Sequence, residues 1–210
     1  PGPKVSWAPW AGVLGRGHGH STGHGTLDKQ LHGGWYPGWE AGRAGDPQNW
    51  LRLAALNVPL WGDMSGIRGA DLQCYRQSQE AGLHGTFRAF LSAPSQHLVS
   101  IVKRTDRSLP IINLKGQLLA KSWSSLFGGQ SAGAPQGAPS PSHPVPTHRP
   151  HRLAWHGSTP RGGHARRWDC QGWRSSGTAE GMATALGEGR LLAGHRHNCS
   201  IPLAVLCIEK

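Results

Sequence analysis

Acidic residues are scarce: 11 Asp and Glu in 210 residues, of which 8 follow residue 50. No two of them stand out as a general acid and base, which leaves little material for carboxylate catalysis. No run of about 18 apolar residues occurs, so no segment reads as a membrane span. None of the four cysteines forms a Cys-x-x-Cys pair, which argues against zinc ribbons and thioredoxin-type redox motifs. Residues 1–50 lack helical or strand periodicity and lack the Gly-X-Y repeat of collagen. With Pro1 first and no initiating Met, the chain reads as a piece of a longer product, in which no signal peptide is expected.

Positive charge is abundant. Lys and Arg number 22, and the net charge is +11. Such a surplus favours a polyanionic partner: nucleic acid, acidic lipid or sulfated glycan. The cysteines are even in number and lie late, at Cys74, Cys170, Cys199 and Cys207. Two disulfides in an oxidising compartment fit them best, and spacing alone leaves three pairings open.

Three kinds of sequence follow one another. Residues 1–50 are Gly-rich, carry five of the ten tryptophans and read as a disordered tail or hinge. Residues 51–210 read as one folded domain, interrupted at 128–151 by a Pro-rich, extended insert. The segment 131–150, and much of 1–50, has the composition of translated intervening GC-rich DNA; peptides from it in tissue protein would overturn that reading.

Within the domain, "ADLQCYRQSQEAG" predicts a helix capped by Asp71 and stopped by Gly82. "TFRAFLS" predicts a short strand. "SQHLVSIVKRTD" predicts a second helix, with Ser95 as its cap and Leu98, Val99, Ile101 and Val102 as its apolar stripe. "LPIINL" predicts a buried strand, "SWSSLF" a helical turn, "LAWHGS" a strand running into a turn, and "LAVLCIE" a buried strand that carries Cys207.

From "LNVPLWGDMSGIRGADLQCYRQ" onward the chain resembles the endostatin domain, the C-terminal module of collagens XVIII and XV. The likeness continues through "GTFRAFLS", "SIVKRTDRSLPIINLKGQLL", "SWSSLFGG", "WHGS", "GEGRLL" and "VLCIE". "GIRGAD" leans toward type XVIII, and "NLKGQ" with Gly116 toward type XV. The resemblance implies a compact α/β (α+β) fold like C-type lectin domains. It also implies nested disulfides, Cys74–Cys207 outside and Cys170–Cys199 inside, each contributing about 2–4 kcal/mol. The family has strand sequence where this chain has its Pro-rich insert, so part of a sheet is expected to be missing.

The family's zinc site is not retained. Aligning on "LAALN" puts Gly42, Ala44 and Arg52 at its three His positions and Gly116 at its Asp position. His18, His20 and His24 in "GRGHGHSTGHG" lie far upstream, on a Gly-rich segment that would lose much entropy on ordering around a metal. No metal or other cofactor is therefore expected. His195 and His197 read as a polar surface loop, and His156 as a structural turn residue. "GQSAG", 129–133, matches a hydrolase elbow by chance, since it opens the insert rather than a strand-to-helix turn. "NCS", 198–200, is a glycosylation sequon beside a bridged cysteine.

What remains is arginine, whose planar fork pairs with sulfate through parallel hydrogen bonds. The family binds heparan sulfate through surface arginines. Arg68 and Arg174 match its two principal contacting positions; Lys103, Arg104 and Arg107 match a second group, and Arg190 a further position. The resemblance implies a secreted, non-enzymatic matrix module in basement membrane, with anti-angiogenic and adhesion roles. Heparan sulfate proteoglycans and integrins are the implied partners, and trimerisation runs through upstream collagen segments; no Arg-Gly-Asp is present. Charge alone suggests a rival, a nucleic-acid-binding protein, but no recognised motif supports it.

Overall fold

The structure, a computed structural model, describes residues 49–128, 153–186, 191–192 and 194–210. The Gly-rich tail up to residue 48, the insert 129–152, the "GQSAG" match, the His18, His20 and His24 cluster and Arg190 lie outside the described residues.

The last strand organises the molecule. β8 (Ala204–Glu209) is buried at every position, as its apolar run requires of a central strand. It pairs antiparallel with β1 (Leu51–Ala55) and β2 (Phe87–Ala89), and parallel with β5 (Leu153–Trp155). β3 (Ile111–Ile112) and β4 (Leu118–Ala120) extend the sheet beyond β1. β6 (Glu180–Ala185) and β7 (His195–Asn198) extend it beyond β5, giving the order β4-β3-β1-β8-β5-β6-β7.

Alternation along β8 sends its side chains to two cores. Val205 and Cys207 join Ala70, Cys74, Trp155 and Trp173 on one face, where helix α1 (Gly66–Glu80) packs. Ala204, Leu206 and Ile208 join Phe90, Val102, Ile111 and Trp123 on the other. Among the described residues three tryptophans are fully buried, and each indole donates to a main-chain carbonyl: Trp123 to Val99, Trp155 to Leu60 and Trp173 to Ser92.

Both disulfides pair as the resemblance implies. Cys74–Cys207 ties α1 to β8 across 133 residues, and Cys170–Cys199 closes 29 residues inside it. Chain-entropy estimates for loops of these lengths are about 5 and about 4 kcal/mol. Among the described residues the architecture is a mixed sheet with a single long helix, consistent with the expected α/β (α+β) class.

The strands at 87–89, 153–155 and 204–209 and the helical turn Ser124–Phe127 stand where the sequence puts them. Gly82 ends α1 with φ +68, and Leu83 N–H reaches back to the Ser78 carbonyl.

Three expectations need correction. α1 starts at Gly66, five residues before Asp71, whose Oδ1 instead accepts the Ala89 N–H at 2.9 Å and so ties the helix to β2. Burial pushes the Asp71 carboxyl up, against that hydrogen bond and the charges of Arg88 and Lys210. The second helix is two 3-10 turns, Leu98–Ser100 and Arg104–Asp106, and His97 rather than Ser95 precedes the first. Its β-branched residues are held by the core, with Val99 N–H on the Gly162 carbonyl, and local helix propensity does not prevail. His195 and His197 lie on strand β7 rather than in a loop, because "HRHN" pairs with β6 at the sheet edge.

Candidate functional site

The backbone before Arg174 is unusual. Cys170, Gln171, Gly172 and Trp173 all have positive φ, between +51 and +70. For the three non-glycine residues this conformation costs on the order of 1–2 kcal/mol each. It is held by the Cys170–Cys199 bond, by burial of Trp173 and by the Arg174 and Ser175 N–H groups on the Cys170 carbonyl. The left-handed turn delivers Arg174 to a fixed place. Its backbone bridges Asp63, and its guanidinium lies over Gly66, 3.0 Å from where a β-carbon would stand.

Gly66 opens α1. Ser65 before it makes no side-chain cap, and the first turn holds no acidic residue. A helix N-terminus without a capping carboxylate attracts anions through its free N–H groups and dipole. Arg68 is exposed in that first turn, so Arg68 and Arg174 flank one helix end. Asp63 is the carboxylate nearest in sequence; its Oδ1 accepts the Ser65 N–H at 3.0 Å. Further along the exposed side of α1 stand Leu72, Tyr75 and Arg76.

Lys103, Arg104 and Arg107 are not part of this arrangement. They sit around the Arg104–Asp106 turn, beside Ile101 and Val102, which pack on the sheet face opposite to α1. Lys103 and Arg104 are exposed. Arg107 is half-buried and spends its Nε on the Val102 carbonyl at 3.1 Å, bracing its own turn.

His156 is fully buried. Its Nδ1 accepts the Ser158 N–H at 3.0 Å, and burial lowers its pKa to about 4. It is thus a neutral structural residue, as its place in "WHGS" suggests. Asn198 is exposed, and its Oδ1 accepts the Ser200 N–H at 2.9 Å.

Of the resembled family's zinc positions, the two within the described residues, Arg52 and Gly116, offer no metal ligand. Arg52 has no lone pair to give, and its guanidinium is committed to Glu209, with Nε–Oε2 at 2.7 Å and Nη2–Oε1 at 2.5 Å. Gly116 has no side chain and occupies a turn at φ +76. Gly42 and Ala44 lie outside the described residues. No helix among the described residues is long and apolar enough to cross a membrane.

Comparison with known proteins places the chain beside a known family. The family model described as "Collagenase NC10 and Endostatin" matches residues 51–210. The human collagen alpha-1(XVIII) chain is 45% identical over 174 residues, 78% of this chain. The chain spans about a tenth of the length of that curated relative, 10%.

Proposed function

The chain belongs to the endostatin family, and from that premise we propose that it is a secreted, non-enzymatic extracellular-matrix module that binds heparan sulfate. The observation that carries the reading is the end of α1: an uncapped helix N-terminus flanked by Arg68 and Arg174, with the second arginine fixed by a disulfide-braced turn. A sulfate there accepts hydrogen bonds from helix N–H groups and from two guanidinium forks at once. Lys103 and Arg104 on the other sheet face add a weaker contact to a chain long enough to wrap the domain, and Arg190 adds another. Full basicity serves encounter with a polyanion and makes binding salt-sensitive.

The same reading takes the module to be the C-terminal part of a collagen XVIII/XV-like chain. It trimerises through collagen segments, resides in basement membrane and acts on endothelial adhesion and migration, with integrins among its partners. It holds no resident zinc. The two disulfides weigh against the rival reading, an intracellular nucleic-acid-binding protein, because such bonds belong to oxidising compartments.

The test is heparin-affinity elution of the disulfide-bonded chain and of Arg68→Ala/Arg174→Ala. The double variant is expected to elute at clearly lower salt, whereas Arg107→Ala is expected to change little. Unchanged elution of a correctly bridged double variant removes this site from the proposal.

A further inference from the structure

A second basic concavity lies elsewhere. After β5 the chain loops through Ser158, Thr159 and Pro160 and returns through His164, Ala165, Arg166 and Trp168 to hydrogen-bond β6, where Met182 N–H donates to the Trp168 carbonyl. Between this loop and the start of β7 is an open cleft of about 710 Å³. That volume suits a small ligand or one or two sugar units. Arg196 crosses its wall with the guanidinium carbon 4.6 Å from the Trp168 ring centroid. Arg166, His164 and His195 complete its polar lining.

The cleft's charge is one-sided. No carboxylate is among its described lining residues, and the Asp169 carboxylate nearby is engaged by His164 Nε2 at 2.7 Å. Stacking on Trp168 holds the Arg196 fork in place, so less freedom is lost when it binds. Gly194 packs tightly at the floor: a β-carbon there would stand 2.4 Å from Met182 Cε and 3.2 Å from Nε2 of the buried His156. The cleft is distinct from the α1 end. Arg196 pairs with Met182 and therefore leaves the sheet on the face opposite to Ala183, whose side chain packs in the α1-side core.

We propose that this cleft binds an oxyanion group, sulfate or phosphate, through Arg166 and Arg196 beside Trp168. The bearer favoured by the cleft's size and aromatic wall is the end of a sulfated saccharide.

The experiment is an NMR titration of the full disulfide-bonded chain, following the Trp168 indole N–H. The probes are a trisulfated heparin disaccharide, its desulfated counterpart and inorganic sulfate. The sulfated disaccharide is expected to shift the Trp168 signal, with the desulfated sugar at least ten-fold weaker. Arg166→Ala/Arg196→Ala should weaken the response at least ten-fold, and Arg68→Ala/Arg174→Ala should leave it in place. An equal response to inorganic sulfate supports the oxyanion site and assigns it to the free ion. No Trp168 shift in the wild-type chain with any sulfated probe overturns the proposal, as does a shift that survives Arg166→Ala/Arg196→Ala or vanishes only with Arg68→Ala/Arg174→Ala.

Discussion

Removing Arg52 exposes what holds the first and last strands together. Glu209 ends β8 and is 1% exposed, and its carboxylate is gripped side-on by Arg52 from β1, itself 17% exposed. Arg52 also donates to the His84 carbonyl and lies 5.5 Å from the Phe87 ring centre. Truncating one partner of a buried ion pair leaves a charge poorly solvated and costs about 3–5 kcal/mol. Because water still reaches Arg52, the lower end applies: Arg52→Ala is expected to lose about 3 kcal/mol. For a domain of this size that is a fall of roughly 6–12 °C in Tm. The assay is urea unfolding at neutral pH with both disulfides intact. Adding Glu209→Gln to Arg52→Ala removes the stranded charge and keeps an acceptor for the Arg52 main-chain N–H, so it should recover at least about 1 kcal/mol. A loss below about 1 kcal/mol for Arg52→Ala, or no recovery with Glu209→Gln, would refute the view that this pair clamps the sheet.

His156 makes stability pH-dependent. Its folded pKa, about 4, lies below the ordinary 6.5, so the unfolded chain binds its proton more readily. Stability is therefore complete above about pH 6.5 and declines toward pH 4 by about 3 kcal/mol, order of magnitude; His156→Asn should flatten that part of the unfolding profile. Gly62→Ala would place a β-carbon 2.4 Å from Cys170 Sγ and 2.6 Å from Cys199 Cβ, so the inner disulfide should fail to close, leaving two thiols titratable under mild denaturation. Since Arg52 and Gly116 supply no zinc ligand, prolonged EDTA dialysis should leave the Tm within about 1 °C; a drop of several degrees would show a structural metal.

Much of this was legible because local and global signals agree. The apolar run at 204–209 forms the central strand, and the helix around Cys74 forms with its stop at Gly82. The disulfide pairing was not contained in cysteine spacing and came from the family resemblance. The segment 96–106 misled because its apolar spacing suits a helix, while core contacts through Leu98, Ile101 and Val102 and the Val99–Gly162 bond divide it into two turns. Asp71 looked like a cap because the real start, Ser65–Gly66 in left-handed geometry, follows no capping pattern. For the site, arginine identity was readable from the residues, whereas the grouping of Arg68 with Arg174 came only from the family resemblance. That Arg174 meets the end of α1 depends on the left-handed turn at 170–173, and nothing local marks four consecutive positive φ angles. The Trp168–Arg196 stack joins residues 28 positions apart across β6 and had no sequence signal.

The most direct measurement is the affinity of the disulfide-bonded chain for a heparan sulfate octasaccharide across a salt series, wild type beside Arg68→Ala/Arg174→Ala. Log affinity is expected to fall linearly with log salt, and the double variant should bind more weakly with a slope shallower by about two, roughly one per lost arginine contact. A salt-insensitive wild type, or a double variant with the same affinity and slope, would contradict the claim that the α1 end with its two arginines holds the glycan.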